Sequence, residues 1–311
     1  MKNGIIIIYK EKGFTSFDVV AKLRGILKQK KIGHTGTLDP DAVGVLPVCL
    51  GSATKLCDML TDKTKEYIAE FVLGKTTDTQ DISGTVLSEK PVCCTEEDVI
   101  RVLTEFIGEQ EQLPPMYSAI KVNGRRLYEL AREGKEVERK ARKVTFYEIE
   151  LLSIKLPLVT IRVSCSKGTY IRTLCHDVGQ RLGCGATMTS LERTRSGDFV
   201  KEKALTLSQV EKLRDEGVIE EHIMPVDTAF KQYPKFIVAE EMLKKVLNGN
   251  VIPLSEIKRQ EDATQLEKIL TGEPVRIYQE AGEQPIFLAV YEYAAEKNGL
   301  KPLKMFLPQE G

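Results

Sequence analysis

The residues that invite a chemical reading stand together in Gly33-His34-Thr35-Gly36-Thr37-Leu38-Asp39-Pro40. A carboxylate such as Asp39 can attack a carbon or exchange a proton, provided its surroundings hold it still and suitably charged. Pro40 pushes Asp39 toward an extended backbone, which could aim the carboxylate away from the loop. Gly33 and Gly36 permit backbone geometries closed to other residues, and close approach of a ligand. Val43, Val45 and Leu46 follow, giving the loop apolar side chains to pack and so a rigid seat for a reacting group. A plainer reading competes: an aspartate before proline often closes an Asx-turn, and for an arbitrary Asp-Pro pair that is the commoner role. No Gly-Lys-Ser/Thr follows, so a phosphate-binding loop does not fit. His34 titrates near neutrality and is open both to acid–base work and to ring contact with a ligand.

Other chemistry is thinner. The seven cysteines (49, 57, 93, 94, 165, 175 and 184) are odd in number and lack Cys-x-x-Cys spacing. That pattern predicts free thiols in a reducing compartment, not a disulfide framework or a zinc ribbon. His176 follows Cys175, but neighbours on a helix point apart, which disfavours a thiol–imidazole pair. No metal- or nucleotide-binding motif is present, and no cofactor or metal is expected. The four isoleucines from Ile5 to Ile8 are too short a run to span a bilayer or to form a secretory core. No membrane association and a cytoplasmic location are therefore expected. Lys and Arg number 45, as do Asp and Glu, so the formal net charge is zero. Locally the balance differs: from Lys121 to Lys143 nine basic residues meet four acidic ones. Lys22, Arg24, Lys28, Lys30 and Lys31 form a second cluster with no acid among them. Solvated helix faces would explain both clusters, and so would contact with a polyanion.

Read against known families, these segments are specific. Lys31-Ile32-Gly33-His34-Thr35-Gly36-Thr37-Leu38-Asp39-Pro40 and its continuation to Val48 resemble the TruB family of tRNA pseudouridine synthases. Lys65-Glu66-Tyr67 is similar to that family's Lys-x-Tyr strand. The run from Pro115-Met116-Tyr117-Ser118 through Asn123-Gly124 to Gly134 is similar to its hairpin-helix signature. Gly168-Thr169-Tyr170-Ile171-Arg172 and Leu191-Glu192-Arg193-Thr194-Arg195-Ser196-Gly197-Asp198-Phe199 complete five motifs in order over about 170 residues. The tail after about residue 233 resembles a PUA-type RNA-binding domain more loosely.

The resemblance implies an isomerase that converts uridine 55 in the T loop of tRNA to pseudouridine. Asp39 would be the nucleophile, and Arg172 would pair with it, hold its pKa down and fix its orientation. Tyr67 would stack on the uracil, an interaction worth about 1–3 kcal/mol, although a tyrosine in a strand core would look the same in sequence. Tyr170 and Leu191 would line the same pocket, and plain core packing also accounts for Leu191. His34 would enter the place in the RNA that the flipped uridine vacates, repaying part of the cost of extrusion. General acid–base catalysis is the competing role for it. The basic stretch from Lys121 to Lys143 would clamp the T arm. Glu192 stands where the family has a basic residue, so a phosphate or intramolecular contact is in question there. The expected partner is tRNA, with no cofactor and a monomer as the default. Two rivals belong to other classes: a tRNA-binding folding assistant with secondary catalysis, and a guide-RNA-dependent synthase subunit, which the short chain without lysine-rich tails disfavours.

Elements must position these residues. Gly4 to Tyr9 reads as a buried strand, followed by a helix capped by Thr15 or Ser16 and running to about Lys30, with Phe17, Val20, Leu23 and Leu27 on its apolar face. Gly33 to Pro47, with three glycines, two prolines and little periodicity, reads as a structured loop. Lys65 to Leu73 alternates as a strand, Glu96 to Phe106 as an amphipathic helix, and Asn123-Gly124 marks a hairpin. Val144 to Ile154 and Leu158 to Cys165 are strands, and Thr169 to Leu182 is a helix ended by Gly183. Beyond Tyr233-Pro234, a helix from Glu240 to Asn248 precedes short strands at Pro274 to Tyr278 and Ile286 to Tyr293, while Ser255 to Thr271 is charged and irregular. The interleaving lacks a strict βαβ rhythm, so the fold class is α+β. With the resemblance, the expectation is a mixed, largely antiparallel sheet of the pseudouridine synthase type in residues 1–232. A small β-rich, PUA-like domain would fill residues 233–311.

Overall fold

Four consecutive isoleucines can all be buried only in a strand covered on both faces, and the first strand is such a strand. In the computed structural model of the chain, which describes residues 1–61, 63–260, 263–282 and 285–307, it spans Gly4–Lys10. Ile6 and Ile8 face helix Ser16–Leu27, while Ile5 and Ile7 face a second cluster with Leu56, Phe199 and Phe230. The helix opens on a capping box, Thr15 with Asp18, and stops at Leu27, three residues short of expectation, because Lys28 turns into the left-handed region at φ 50°. Phe17 is 64% exposed and lies off the packed face, whose first turn is supplied by Val19 instead.

The main sheet has nine strands. Its order is Gly4–Lys10, Val43–Leu50, Ala186–Ser196, Lys65–Leu73, Leu158–Cys165, Arg142–Lys155 and Gly108–Gln112, with Ile32–His34 and Phe199–Val200 added alongside. Every pairing is antiparallel except that of Ala186–Ser196 with Val43–Leu50, so the sheet is mixed and largely antiparallel, as expected. Lys65–Leu73 alternates strictly, and its inward residues Tyr67, Ala69 and Phe71 pack with Val159, Ile161 and Val163. Helices Glu96–Glu105 and Ile171–Arg181 cover that face through Val99, Val102, Leu174 and Val178.

One expectation fails instructively. Gly33 to Pro47 is not all loop: Ile32–His34 and Val43–Leu50 are paired strands, and only 35–42 crosses between them. Gly44 hides the second strand in sequence. Its φ is +109°, and a Cβ there would meet the Arg193 carbonyl oxygen at 2.3 Å, so the glycine is a close-approach residue within a strand.

The C-terminal sheet has five strands, in the order Lys235–Val238, Val275–Gln279, Ile286–Ala294, Gly299–Met305 and Ile252–Pro253. The stretch expected to be irregular holds two helices, Leu254–Gln260 and Ala263–Leu270. Charge had masked them: Ile257 and Ile269 are the buried anchors of otherwise polar turns. Phe287 and Phe306, from this sheet, stack at 5.4 Å between ring centres and meet Phe230 at 6.0 and 5.7 Å. The same cluster contains Ile5 and Ile7, so the two sheets share apolar surface. No helix among the described residues is long and apolar enough to cross a membrane.

Candidate active site

The crossing 35–42 carries Asp39, and its neighbours pin it at nearly every peptide. Leu38 N–H donates to Ser16 Oγ at 2.9 Å, and Gly13 N–H to the Pro40 carbonyl at 2.9 Å. Lys10, fully buried at the end of the isoleucine strand, donates from Nζ to the carbonyls of Phe14 at 2.6 Å and Pro40 at 3.0 Å. Arg193, 1% exposed, ties the loop's two ends: Nε donates to the Val45 carbonyl at 2.7 Å, and a guanidinium N–H to the Gly36 carbonyl at 3.3 Å. Burial explains the density of these bonds, since a cation withdrawn from water must find acceptors. Desolvation also lowers the Lys10 pKa to about 8. The Asp39 backbone closes a turn, its carbonyl accepting from Ala42 N–H at 3.1 Å. Its carboxylate is not spent on that turn. It faces Arg172, at 3.2 Å from one guanidinium nitrogen.

Arg172 lies in the first turn of helix Ile171–Arg181 and is 5% exposed on its side chain. It serves three acceptors. The nitrogen that meets Asp39 also donates to the Tyr117 carbonyl at 2.7 Å, and the other terminal nitrogen pairs with Asp81 at 3.5 Å. Asp81 is itself fixed by Thr79 Oγ1 at 2.8 Å and Ser83 N–H at 3.0 Å. The expected pairing is therefore present, and Arg172 pulls the Asp39 pKa down as expected, but the net shift is upward. Burial pushes the Asp39 carboxyl up, the neighbouring Asp81 charge adds to the rise, and Arg172 and Lys10 oppose it without prevailing. The Asp39 side chain keeps 40% of its surface open, yet a carboxylate set among packed groups can be touched by solvent and still be poorly hydrated.

Around this pair the structure assembles most of the residues singled out in sequence. Tyr170 immediately precedes the helix, with its ring 6.0 Å from the Arg172 guanidinium carbon. Tyr67 and Leu191, each 8% exposed, share a core cluster with Leu38 from the Asp39 loop. The two come from adjacent strands, Tyr67 lying opposite Arg193 and Leu191 opposite Ala69. Burial raises the Tyr67 hydroxyl pKa, so the ring stays neutral. His34 stands at the base of the loop, with Nδ1 accepting from Gly36 N–H at 3.3 Å. No hydrogen bond or ion pair joins it to Asp39 among the described residues. Burial and the Arg193 charge lower its pKa, which favours a neutral ring.

Sequence reasoning missed Lys10, Asp81, Arg193 and Gln112. Lys10 had a signal, a charge closing a run of isoleucines; Arg193 stood inside a quoted motif without a role. Asp81 had none. Glu192, the departure from the family pattern, makes intramolecular contacts: Tyr9 Oη donates to it at 2.9 Å, and Lys201 Nζ lies at 2.6 Å. Burial, and after it the hydrogen bond and charge of Glu192, push the Tyr9 hydroxyl up to about 12. His176 points away from the buried Cys175 and meets Gln180 at 3.3 Å. In the basic stretch, Glu133 pairs with Arg125 and Lys135, Glu136 with Arg139 and Glu109 with Lys143, while Lys121, Arg126, Arg132, Lys140 and Arg142 are exposed without an ion pair among the described residues. A cavity of about 260 Å³ is lined by Phe106, Gln112, Phe146, Asp177 and Arg181, and by none of the residues that touch Asp39.

Comparison with known proteins gives the family. Residues 24–171 match the model of the TruB family pseudouridylate synthase N-terminal domain, and residues 172–231 that of the tRNA pseudouridylate synthase B C-terminal domain. The five-stranded C-terminal sheet lies beyond both matches. The chain is 51% identical to tRNA pseudouridine synthase B of Lachnoclostridium phytofermentans, covering 98% of this chain and 100% of that one. It is 43% identical to the protein of the same name from Bacillus subtilis, covering 99% and 98%. Among solved structures, it matches one of a Cbf5-Nop10-Gar1 complex with a TM-score of 0.70 and 30% identity, over 98% of this chain and 85% of that one. It also matches one of an H/ACA RNP bound to a substrate RNA containing 2'-deoxyuridine, with a TM-score of 0.69 and 27% identity, over 99% and 86%. Identity of this order along nearly the whole length means that the chain belongs to the TruB family of pseudouridylate synthases.

Proposed function

We propose that this isomerase acts on tRNA, converting uridine 55 of the T loop to pseudouridine, with Asp39 as the nucleophile. The observation that carries the reading is the ion pair of Asp39 with the buried Arg172, at 3.2 Å, with the Tyr170 ring 6.0 Å from the guanidinium carbon and Tyr67 and Leu191 in the core cluster that holds Leu38 of the same loop. Pseudouridine formation breaks the N1–C1′ bond, turns the uracil and rejoins it through C5. Substrate and product contain the same atoms, so the reaction calls for a nucleophile and for retention of the freed base. An ionised Asp39 supplies the first, whether it attacks C1′ or takes a proton at C2′. The ring of Tyr67 and the side chain of Leu191 supply the second, holding a detached uracil by its faces. His34, neutral and at the base of the loop, serves as the planar group that fills the place of the flipped base. Lys121 to Lys143 then track the T-arm backbone, which is read by shape and phosphate more than by sequence. Residues 233–311 act as a separate, PUA-like RNA-binding domain beside the catalytic residues 1–232, and the enzyme works as a monomer.

The test is direct. Purified protein incubated with an unmodified tRNA transcript, followed by mapping of pseudouridine by position, should yield product at the T loop alone. Asp39→Asn should abolish product while tRNA binding persists. No product at the T loop with the parent protein overturns the substrate assignment, and undiminished product with Asp39→Asn overturns the nucleophile. Activity on bare transcript also separates this reading from a guide-dependent subunit.

A further inference from the structure

Gln112 ends the edge strand Gly108–Gln112 and is 4% exposed. Its side-chain amide grips one backbone residue from both sides. Oε1 accepts from the Tyr170 N–H at 2.8 Å, and Nε2 donates to the Tyr170 carbonyl at 3.0 Å. A primary amide suits this at neutral pH, because it presents an acceptor and a donor in one planar group, whereas an ionised carboxylate offers only acceptors. Tyr170 is the entry residue of helix Ile171–Arg181, and its side chain does not cap that helix. Its carbonyl also takes the first helical bond, from Leu174 N–H at 3.1 Å.

Two residues further on stands Arg172. The residue after Gln112 begins the segment 113–141, and the Tyr117 carbonyl from that segment accepts from Arg172 at 2.7 Å. The chain between 112 and 117 thus meets the helix start at two points, Gln112 on Tyr170 and Tyr117 on Arg172. Rotation of the helix start would swing the guanidinium away from Asp39, and the two-sided grip on Tyr170 opposes that rotation.

We infer that Gln112 is a positioning residue for the isomerisation, holding Tyr170 and, through it, Arg172 in register with Asp39. It also keys the active site to the root of the basic segment 113–141. The inference rests on the roles proposed above for Asp39 and Arg172. A grip of this kind governs the chemical step more than RNA binding, since misplacement of a reacting group by about 1 Å costs on the order of 100-fold in rate.

The experiment compares Gln112→Glu and Gln112→Leu with the parent for kcat, KM and melting temperature on any RNA that the parent modifies, from pH 5 to pH 8. Both variants should lose roughly 10- to 100-fold in kcat near neutrality, with KM within about twofold. As pH falls, the Gln112→Glu rate relative to parent should recover, because a protonated carboxyl regains the donor to the Tyr170 carbonyl. Gln112→Leu should show no such recovery. Parental kcat in both variants overturns the inference. So does a rise in KM at unchanged kcat, or a joint fall of kcat and melting temperature without recovery of Gln112→Glu in acid. Asp39→Asn run in parallel keeps the two claims apart: activity surviving in that variant removes the proposed nucleophile, whatever Gln112 does.

Discussion

At the scale of single residues, Asp39 is placed where its charge is costly. Burial and the neighbouring Asp81 carboxylate raise its pKa against the pull of Arg172 and Lys10. A carboxyl whose folded pKa exceeds its unfolded value binds more protons folded than unfolded, so stability falls as pH rises through that window. The cost is fully present above the folded pKa and absent below the ordinary value of 3.8. Asp39→Asn should therefore melt at a higher temperature than the parent at pH 7, with the gap closing as pH approaches 4; a variant no more stable than the parent at pH 7 would contradict the burial argument. Asp81 acts on the same charge. Replacing it with Asn removes a like-charge neighbour, so the acid limb of the kcat/KM profile should move to lower pH. The plateau should drop roughly tenfold, about 1.4 kcal/mol, because Arg172 loses the charged partner at 3.5 Å that helps to orient its guanidinium toward Asp39. An unmoved acid limb would detach Asp81 from the site.

At the scale of elements, the Asp39 loop is held by a strand and a buried arginine that approach too closely for any side chain between them. Gly44 lies opposite Arg193 in the parallel pairing, with φ at +109° and its would-be Cβ 2.3 Å from a carbonyl oxygen. Gly44→Ala combines a strained backbone, about 1–3 kcal/mol, with overpacking of about 1–3 kcal/mol. Gly13 is the control: its φ is +87°, but nothing lies within 4 Å of a Cβ there. Urea titration should show a loss of several kcal/mol for Gly44→Ala and about 1 kcal/mol for Gly13→Ala, in the range of left-handed strain alone. Equal losses would mean that the close approach to Arg193 carries no weight. This contact also shows why the strand was illegible: a glycine in a strand scores as a loop residue until the backbone it faces is known.

At the scale of the whole molecule, a chain of zero net charge carries a local excess that a polyanion can find. In the segment 113–141, acids neutralise Arg125, Lys135 and Arg139, while Lys121 and Lys140 stand exposed. Each cation that meets a phosphate should contribute about 0.7–0.9 to the slope of log K against log salt. Lys121→Gln with Lys140→Gln should weaken tRNA binding and flatten that slope by about 1.5, leaving kcat at saturation unchanged. An unchanged slope would mark these lysines as solvated surface, the plainer of the two readings open in sequence.

What the sequence determined by itself was whatever depends on local chemistry or on motifs kept in order. The family, the α+β class, the alternating strand under Tyr67 and the helix that bears Arg172 all belong there. Tertiary structure decided what depends on approach between distant segments. It turned half of the glycine-rich stretch into strands, and found two helices in a charged run anchored by Ile257 and Ile269. It raised the Asp39 pKa where the pairing with Arg172 had suggested the reverse. It also brought Lys10 and Arg193 onto the Asp39 loop, and Asp81 and Gln112 onto the start of the helix that bears Arg172. The physical reason is the same in each case. Hydrogen bonds within a turn and side-chain periodicity are written in adjacent residues, whereas desolvation, close approach and the partners of a buried cation exist only once the chain has closed on itself.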